Sequence, residues 1–385
     1  GFGGLLWGSA GITVPWELYQ QYGDKGMLQE HYPSMKRYIQ FVLDNYIDKN
    51  TNLIVQKGEW TDLGDWLSPS YEKDDKSLIW ECYFIFDLDI MTQLAQVLGK
   101  ADDAKKFADL AQQRRAFFQQ TYLDPITGKT RFSAFNQAKK GQLIDTQTSY
   151  TLPLAFKVVD NDKQKQLAEH LGNAVKRSAD GFPGYSLLTG FIGTAWISKA
   201  LSENGMSDIA YRLLEQDTYP SWLYPVRNGA TSIWERLNSY TIQDGFGDNN
   251  SMNSFNHYSF GSVAAWMYNY SLGIRRDKNQ PGFKHFFLQP EVDPTGGILH
   301  AEGYYDSMYG RIKSQWKKTD DGREYSFTVP ANTTATLFLP ARKKTDITES
   351  GKSIAKALGI KYICESDGLH QMELQSGTYQ FKIKE

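Results

Sequence analysis

Residues 78–122, LIWECYFIFDLDIMTQLAQVLGKADDAKKFADLAQQRRAFFQQTY, contain two adjacent segments of opposite character. The first, Leu78–Leu98, is apolar nearly all round in its first half, as expected for a helix that is buried on most sides. The second, Ala101–Tyr122, has a face of Lys, Asp, Gln and Arg side chains that is typical of a solvated surface. Gly99 separates the two segments and is a common helix terminator. The pair predicts a helical hairpin with one inner and one outer helix.

The same alternation recurs along residues 1–275. Met27–Ile47 has apolar side chains along one helical face. Mostly apolar segments are then followed by amphipathic ones twice, Thr146–Val158 by Lys163–Arg177 and Thr189–Leu201 by Ser207–Leu214, and Ser254–Leu272 is a last apolar segment. Hairpins arranged in a ring need this pattern, because each buries one helix on the axis. An α-solenoid would also need a repeat of fixed period, which the sequence lacks. The sequence therefore predicts an (α/α)6 toroid, and because roughly five couplets can be counted, one whose first helices are missing.

After Pro281-Gly282 the pattern changes to short, often alternating segments with turn residues between them. These segments are Phe283–Leu288, Arg311–Trp316, Glu324–Val329, Ala335–Leu339 and Tyr379–Lys384, with a short helix predicted at Ser353–Leu358. They predict a small antiparallel β-sandwich. We therefore expect a helical domain over 1–280 and a β-sandwich domain over 281–385.

Composition excludes several classes of function. The 385 residues carry 42 basic and 44 acidic side chains, a net charge of −2 without a basic stripe, so a nucleic-acid partner is not expected. No apolar run is long enough to span a bilayer, so no membrane role is expected. Cys82 and Cys364 lie far apart and outside any metal-ligand spacing, so neither a disulfide framework nor a zinc site is indicated. The sequence contains no P-loop, dinucleotide fingerprint or HExxH motif, so neither a cofactor nor a metal is expected. The sequence leaves the compartment and the oligomeric state open.

Three loops combine Trp, carboxylate, Gly and amide residues, a mixture that indicates the rim of a binding site. The first, Lys57–Pro69, places Glu59, Asp62 and Asp65 around Trp60 and Trp66. Carboxylates beside indoles can accept hydrogen bonds from sugar hydroxyls while the indole packs on the pyranose face. The alternative is a capping role for Asp62 or Asp65 at a helix N-terminus.

The second loop, Tyr219–Asn238, contains Trp222 and the run Trp234-Glu235-Arg236. A Glu beside a Trp can be held in a partly apolar slot that tunes its pKa for general acid or base chemistry. A surface ion pair between Glu235 and Arg236 is the alternative.

The third loop, Gly245–Phe260, places His257 at the start of the last predicted helix, 22 residues after Glu235. A neutral imidazole there can donate to a sugar hydroxyl, although a structural His is the alternative. Between the first and second loops, Gly190 and Gly193 predict close helix packing rather than phosphate binding.

Six stretches together resemble the α-L-rhamnosidases of glycoside hydrolase family 78. They are WGSAGITVPWELYQQYGD (7–24), YPSMKRYIQF (32–41), GDWL (64–67), TGFIGTAWISKAL (189–201), YPSWLYPVRNGATSIWER (219–236) and NHYSFGSVAAWMY (256–268). They occur in the order found in that family. In the first block, Leu6 and Ser9 depart from the usual pattern around Trp7.

The resemblance implies an (α/α)6 barrel with a C-terminal β-domain and hydrolysis of terminal α-L-rhamnosides with inversion. It places the general base at Glu235 and a sugar contact at His257. Inverting glycosidases hold a second carboxyl, the general acid, about 6.5–9.5 Å from the base. The resemblance and the three loops together give nine residues that we expect to contact or line the sugar site: Trp7, Trp60, Asp62, Asp65, Trp66, Trp222, Trp234, Arg236 and His257. The expected partner is a rhamnose-containing glycoside or polysaccharide.

Two other functions stay open at this point. In the first, Asp62 or Asp65 is the general acid of a different α/α-barrel glycosidase. In the second, the chain is a non-catalytic sugar-binding protein. The resemblance itself implies a general acid in an Arg-Asp-Glu segment upstream of Trp7, and residues 1–385 contain no such segment.

From this we predict that residues 1–385 alone hydrolyse p-nitrophenyl α-L-rhamnopyranoside very slowly. Protonation of the leaving group contributes roughly 10²–10⁴-fold to the rate, so a loss of that size is expected relative to a full-length family member. The arabinoside, glucoside and mannoside are the controls. Turnover at the full rate would contradict the prediction and would point to Asp62 or Asp65 as the acid.

Overall fold

The computed structural model describes residues 4–58, 61–247 and 253–384. Two compact units are present. One comprises Gly1–Trp16 with Met27–Val263, and the other comprises Glu17–Gly26 with Ala264–Glu385. The first is helical and the second carries the β-sheets. The domain boundary predicted near residue 280 stays a prediction.

The predicted hairpin forms, as helices α3 (Lys76–Val97) and α4 (Ala101–Tyr122). Helix α3 begins where the Asp75 carboxylate accepts the Ser77 N–H (2.9 Å), a standard N-cap. Gly99, at φ +69°, adopts the left-handed conformation that ends many helices. Helix α3 is buried on most sides, whereas α4 is buried along one stripe that includes Phe107, Ala111 and Phe118. The inner and outer roles predicted for the two helices are therefore confirmed.

The described residues form nine further α-helices. They are α1 (Ala10–Tyr22), α2 (Gly26–Asn45), α5 (Gln147–Ala155), α6 (Asn161–Lys176), α7 (Phe191–Thr194), α8 (Ile197–Glu203), α9 (Ser207–Glu215), α10 (Leu223–Arg227) and α11 (Val263–Trp266). Every residue of α5 is buried, whereas α6 buries only one side. Helix α5 packs against α6 and α8, and α8 packs against α9. Inner and outer helices thus alternate beyond the first pair.

Two helix predictions need correction. The helix predicted over Thr189–Leu201 is divided into α7 and α8, since the α-helical pattern is interrupted at Ala195 and Trp196. The helix predicted from Ser254 begins only at Ser259, as a 3-10 turn (Ser259–Ser262) followed by α11 and a π-helical turn (Met267–Ser271). His257 therefore precedes the helical segment instead of opening it.

The C-terminal unit contains two sheets with strand orders β1-β2-β6-β10-β9 and β3-β4-β5-β11-β7-β8. The strands are β1 (Ile274–Arg276), β2 (His285–Leu288), β3 (His300–Ser307), β4 (Gly310–Thr319), β5 (Gly322–Val329), β6 (Thr334–Pro340), β7 (Ile347–Glu349), β8 (Lys352–Ser353), β9 (Ile360–Ser366), β10 (Leu369–Leu374) and β11 (Gly377–Lys384). Between the described strands, only the β2–β6 pair runs parallel. Trp316, Phe327, Leu337 and Phe381 lie in the shared apolar core of this unit.

The sandwich prediction is confirmed for the five strands that alternate clearly in sequence. The predicted short helix at Ser353–Leu358 appears as a 3-10 turn, Ile354–Lys356. Across the described part of the chain, no helix is both long and apolar enough to cross a membrane.

A buried ion pair links the two helices of the first hairpin. The Nε of Arg114 in α4 donates to Oε1 of Glu81 in α3 (2.7 Å), and its side chain also donates to the Asn52 side-chain oxygen (2.9 Å) and carbonyl (3.1 Å). The two charged side chains are 5% and 0% exposed. Burial raises the pKa of Glu81, and the Arg114 charge opposes that increase. Removing one partner would leave a buried charge without compensation.

We predict that Arg114→Met lowers the free energy of unfolding by about 3–5 kcal/mol at neutral pH. Without Arg114 the pKa of Glu81 rises further, so the folded state favours its protonated form and the loss becomes smaller as the pH is lowered. Denaturant unfolding at pH 5.5 and pH 8 measures both effects. Lys105→Met on the same helix is the control. Lys105 and Asp109 form an exposed pair, with exposed fractions of 76% and 53%, so a change below about 0.5 kcal/mol is expected. Equal losses for the two variants would contradict the prediction.

Candidate active site

Backbone pairing brings Glu235 and His257 together. The Glu235 N–H donates to the Ser254 carbonyl (2.8 Å), and the His257 N–H donates to the Ile233 carbonyl (2.8 Å). The Ser254 N–H also donates to Oε2 of Glu235 (2.9 Å). The two predicted site residues therefore lie on paired segments, and the carboxylate is held through one oxygen while its side chain stays only half-buried.

The imidazole of His257 is stacked on the Phe191 ring, with centroids 4.7 Å apart and planes 24° apart. Tyr258 also stacks on it (5.6 Å, 8°). The Ser259 N–H donates to Nδ1 over 3.4 Å. Since Nδ1 accepts a hydrogen bond, the neutral ring carries its proton on Nε2. His257 can thus donate from Nε2.

The Asp65 carboxylate is 1% exposed and accepts four hydrogen bonds. The donors are the Thr148 hydroxyl (2.5 Å) and the backbone N–H groups of Gly190 (2.8 Å), Ile192 (2.8 Å) and Gly193 (3.0 Å). Burial raises the pKa of Asp65, and these hydrogen bonds oppose the increase. Because three of the four hydrogen bonds hold the start of α7 and the fourth joins the carboxylate to Thr148 in α5, the geometry favours the capping role over a sugar contact.

Close packing explains both glycines of the Gly190–Gly193 pair. A Cβ at Gly190 would lie 2.2 Å from the Trp66 carbonyl oxygen, and one at Gly193 would lie 2.9 Å from Oδ2 of Asp65. The predicted packing role of these glycines is confirmed. The Phe191 N–H between them donates to the Trp66 carbonyl (2.9 Å), so α7 begins directly on the first predicted loop.

The other residues of the first loop differ in exposure. The Asp62 side chain is 59% exposed, with Oδ2 3.5 Å from Nζ of Lys76. Trp66 is half-buried and meets the Tyr71 ring edge-on (6.1 Å). Trp7 is 37% exposed. These three side chains are accessible to a ligand, whereas Trp60 lies outside the described residues.

The two tryptophans of the second loop are buried. Trp222 is 8% exposed and its Nε1 donates to the Phe260 carbonyl (2.8 Å). Trp234 is 6% exposed and packs edge-on against Phe255 (5.3 Å). Their burial favours a packing role over a sugar contact. Arg236 is half-buried beside Tyr219. Burial raises the pKa of Tyr219, and the positive charge of Arg236 opposes that increase.

The sequence did not single out Phe191, Tyr258 or Asp87. Asp87 is fully buried in α3 and accepts a hydrogen bond from the Ser9 hydroxyl (2.7 Å), two residues after Trp7. Burial raises the pKa of Asp87 well above its usual range. The sequence signal that could have identified Asp87 is a carboxylate within the apolar half of α3. For Phe191, the signal was an aromatic ring between two glycines.

A metal site is not found in the described ranges, since no three His, Cys, Asp or Glu side chains there are grouped so that they could bind an ion.

Two family models match the chain. The bacterial α-L-rhamnosidase six-hairpin glycosidase domain matches residues 1–271, and the bacterial α-L-rhamnosidase C-terminal domain matches residues 273–353. These matches confirm the family resemblance and the predicted helical barrel with a C-terminal β-domain.

Curated relatives include an α-L-rhamnosidase of Streptomyces avermitilis, 32% identical over 98% of this chain and 33% of its own length. Another, from Alteromonas sp., is 34% identical over 98% of this chain and 38% of its own. The chain thus spans about a third of the length of these relatives.

Solved structures agree with this. The Streptomyces avermitilis α-L-rhamnosidase, complexed with L-rhamnose, has a TM-score of 0.84 at 32% identity, covering 99% of this chain and 33% of its own. An α-L-rhamnosidase from Dictyoglumus thermophilum has a TM-score of 0.82 at 28% identity, covering 98% and 40%.

We predict that Asp65→Asn destabilises the chain. The amide oxygen can still accept from Ile192 and Gly193, and the amide nitrogen can donate to Thr148, but the Gly190 N–H loses its acceptor. An unsatisfied buried donor costs about 1–3 kcal/mol, which denaturant unfolding can measure.

Asp62→Asn is the matched control, because its exposed carboxylate should change stability by less than about 0.5 kcal/mol. An Asp65→Asn variant of unchanged stability that loses a chemical activity would contradict the capping role.

Proposed function

This chain belongs to the bacterial α-L-rhamnosidase family, and on that premise we propose that it carries part of the active site of a glycosidase that removes terminal α-L-rhamnose from glycosides or polysaccharides. Support comes from the two family models over residues 1–353 and from a relative of 32% identity whose structure is complexed with L-rhamnose.

Glu235 acts as the general base of an inverting reaction. The observation that carries this role is the tethered carboxylate: Oε2 accepts the Ser254 N–H, while the side chain stays half-buried. A carboxylate held in this way keeps lone pairs that can accept a proton from an attacking water. The general acid then stands on the other face of the sugar, about 6.5–9.5 Å from the base.

His257 contacts the sugar as a hydrogen-bond donor, because its Nδ1 already accepts the Ser259 N–H. Asp62 and Arg236 are the further polar contacts. The exposed faces of Trp7 and Trp66 suit the apolar faces of a pyranose and the C6 methyl group of rhamnose. Trp222, Trp234 and Asp65 support these residues from buried positions.

The alternative in which Asp65 is the acid loses support from the same geometry. A general acid must reach the leaving-group oxygen, whereas the Asp65 carboxylate is 1% exposed and already has four partners. Asp62, with a side chain 59% exposed, is the remaining candidate acid within the described first loop. A non-catalytic sugar-binding protein would need the same pocket without turnover.

We predict that Glu235→Gln abolishes hydrolysis and preserves the fold. Loss of general base catalysis lowers kcat by at least about 10²-fold. The free energy of unfolding should change by less than about 1 kcal/mol, because the amide can still accept the Ser254 N–H. Hydrolysis of p-nitrophenyl α-L-rhamnopyranoside is measured with a form of the protein that is active on this substrate. Denaturant unfolding measures the change in stability.

Glu30→Gln, at an exposed position of α2, is the control and should retain full activity. Substantial turnover by Glu235→Gln would contradict the base assignment. A stability loss of several kcal/mol would give Glu235 a structural role instead.

A further inference from the structure

The His257 imidazole lies between two aromatic rings of different exposure. Phe191 is half-buried and meets the buried Phe260 ring edge-on at 5.2 Å, so one side of it packs on the core. Tyr258, on which His257 also stacks, is 85% exposed. Stacked aromatic pairs contribute about 0.5–1.5 kcal/mol beyond the area that they bury. The orientation of the imidazole is therefore set mainly from the Phe191 side.

Phe191 is in turn fixed by its own backbone. The peptide N–H groups of Gly190, Ile192 and Gly193 all donate to the Asp65 carboxylate, within 2.8–3.0 Å. The Phe191 N–H donates to the Trp66 carbonyl (2.9 Å). Four consecutive N–H groups are thus held, so the Cα–Cβ direction of Phe191 has little freedom. A continuous set of contacts runs from Asp65 through Phe191 to His257.

This orientation has a chemical consequence for His257. The Ser259 N–H reaches Nδ1 over 3.4 Å, a long hydrogen bond that a rotation of the ring would break. While the bond is present, Nδ1 is an acceptor and Nε2 carries the proton. A ring that is free to rotate could turn either nitrogen toward a ligand, and either nitrogen could then carry the proton.

We propose that Phe191 is a positioning residue, which holds the His257 ring so that Nε2–H donates a hydrogen bond to the bound sugar. The Asp65 carboxylate sets the position of Phe191. This inference rests on the proposed function for the identity of the sugar, but the orientation of the ring can be tested without any ligand.

The test uses the 385-residue chain labelled with 15N-histidine, with the His257 signals assigned by comparison with His257→Gln. The wild type should show the nitrogen shifts of the Nε2–H tautomer. Phe191→Leu should draw the two nitrogen shifts together and raise the Kd for L-rhamnose about three- to tenfold, as expected for one hydrogen bond. Phe191→Tyr retains the ring and should keep both readouts within about twofold of wild type.

Two further variants separate positioning from general loss of structure. Tyr258→Ala removes an exposed ring without affecting the core, and it should move the His257 shifts less than Phe191→Leu does, because the imidazole orientation is set mainly from the Phe191 side. Phe41→Leu removes a half-exposed ring that contacts Tyr46 at 5.3 Å, and it should change neither readout.

Unchanged His257 shifts and an unchanged Kd in Phe191→Leu would overturn the positioning role. The same holds if Phe41→Leu gives an equal effect. If wild-type chain does not bind L-rhamnose, the proposed function fails, yet a change of the His257 shifts in Phe191→Leu would still support the positioning of the ring.

Discussion

The four hydrogen bonds on the Asp65 carboxylate are the constraint on which the candidate site depends. They join the first loop to Thr148 in α5 and to the start of α7. Because three peptide N–H groups converge on one buried carboxylate, the backbone at Gly190 and Gly193 lies so close to Trp66 and Asp65 that no side chain fits there. The direction of Phe191 follows from that convergence, and the orientation of His257 follows from Phe191.

Exposure separates the structural carboxylates of the helical unit from the candidate chemical ones. Asp65, Asp75, Glu81 and Asp87 are all buried, and burial raises the pKa of each. Each accepts from hydroxyl, peptide or guanidinium donors that fix a helix end or a helix pair. A catalytic carboxylate instead needs access to the substrate and lone pairs that are not yet used. In the second loop Glu235 meets that condition, since it is half-buried and held through Oε2.

Periodicity predicted the hairpins because an inner and an outer helix differ in composition, as α3 and α4 do. It could not predict the break at Ala195–Trp196, since the apolar pattern continues across it. Nor could it predict where α7 begins, since that start is held by Asp65 and Trp66, over 120 residues away. Strand β9 was missed because its exposed residues do not alternate like those of a half-buried strand. In the site, residue types identified Glu235 and His257 as candidates. They could not decide between capping and sugar binding for Asp65, because its burial arises from distant partners.

The burial of Trp234 explains how a flexible side chain such as Glu235 can be held in one place. Trp234 is 6% exposed among Phe255 and Tyr240, whereas Ile233 on its other side is 42% exposed. The indole anchors the segment through a large buried surface, which makes a shift along the chain costly. With the anchor fixed, the backbone bonds at Ile233 and Glu235 set the register with residues 254–257. The Ser254 N–H then orients the Glu235 carboxylate through Oε2.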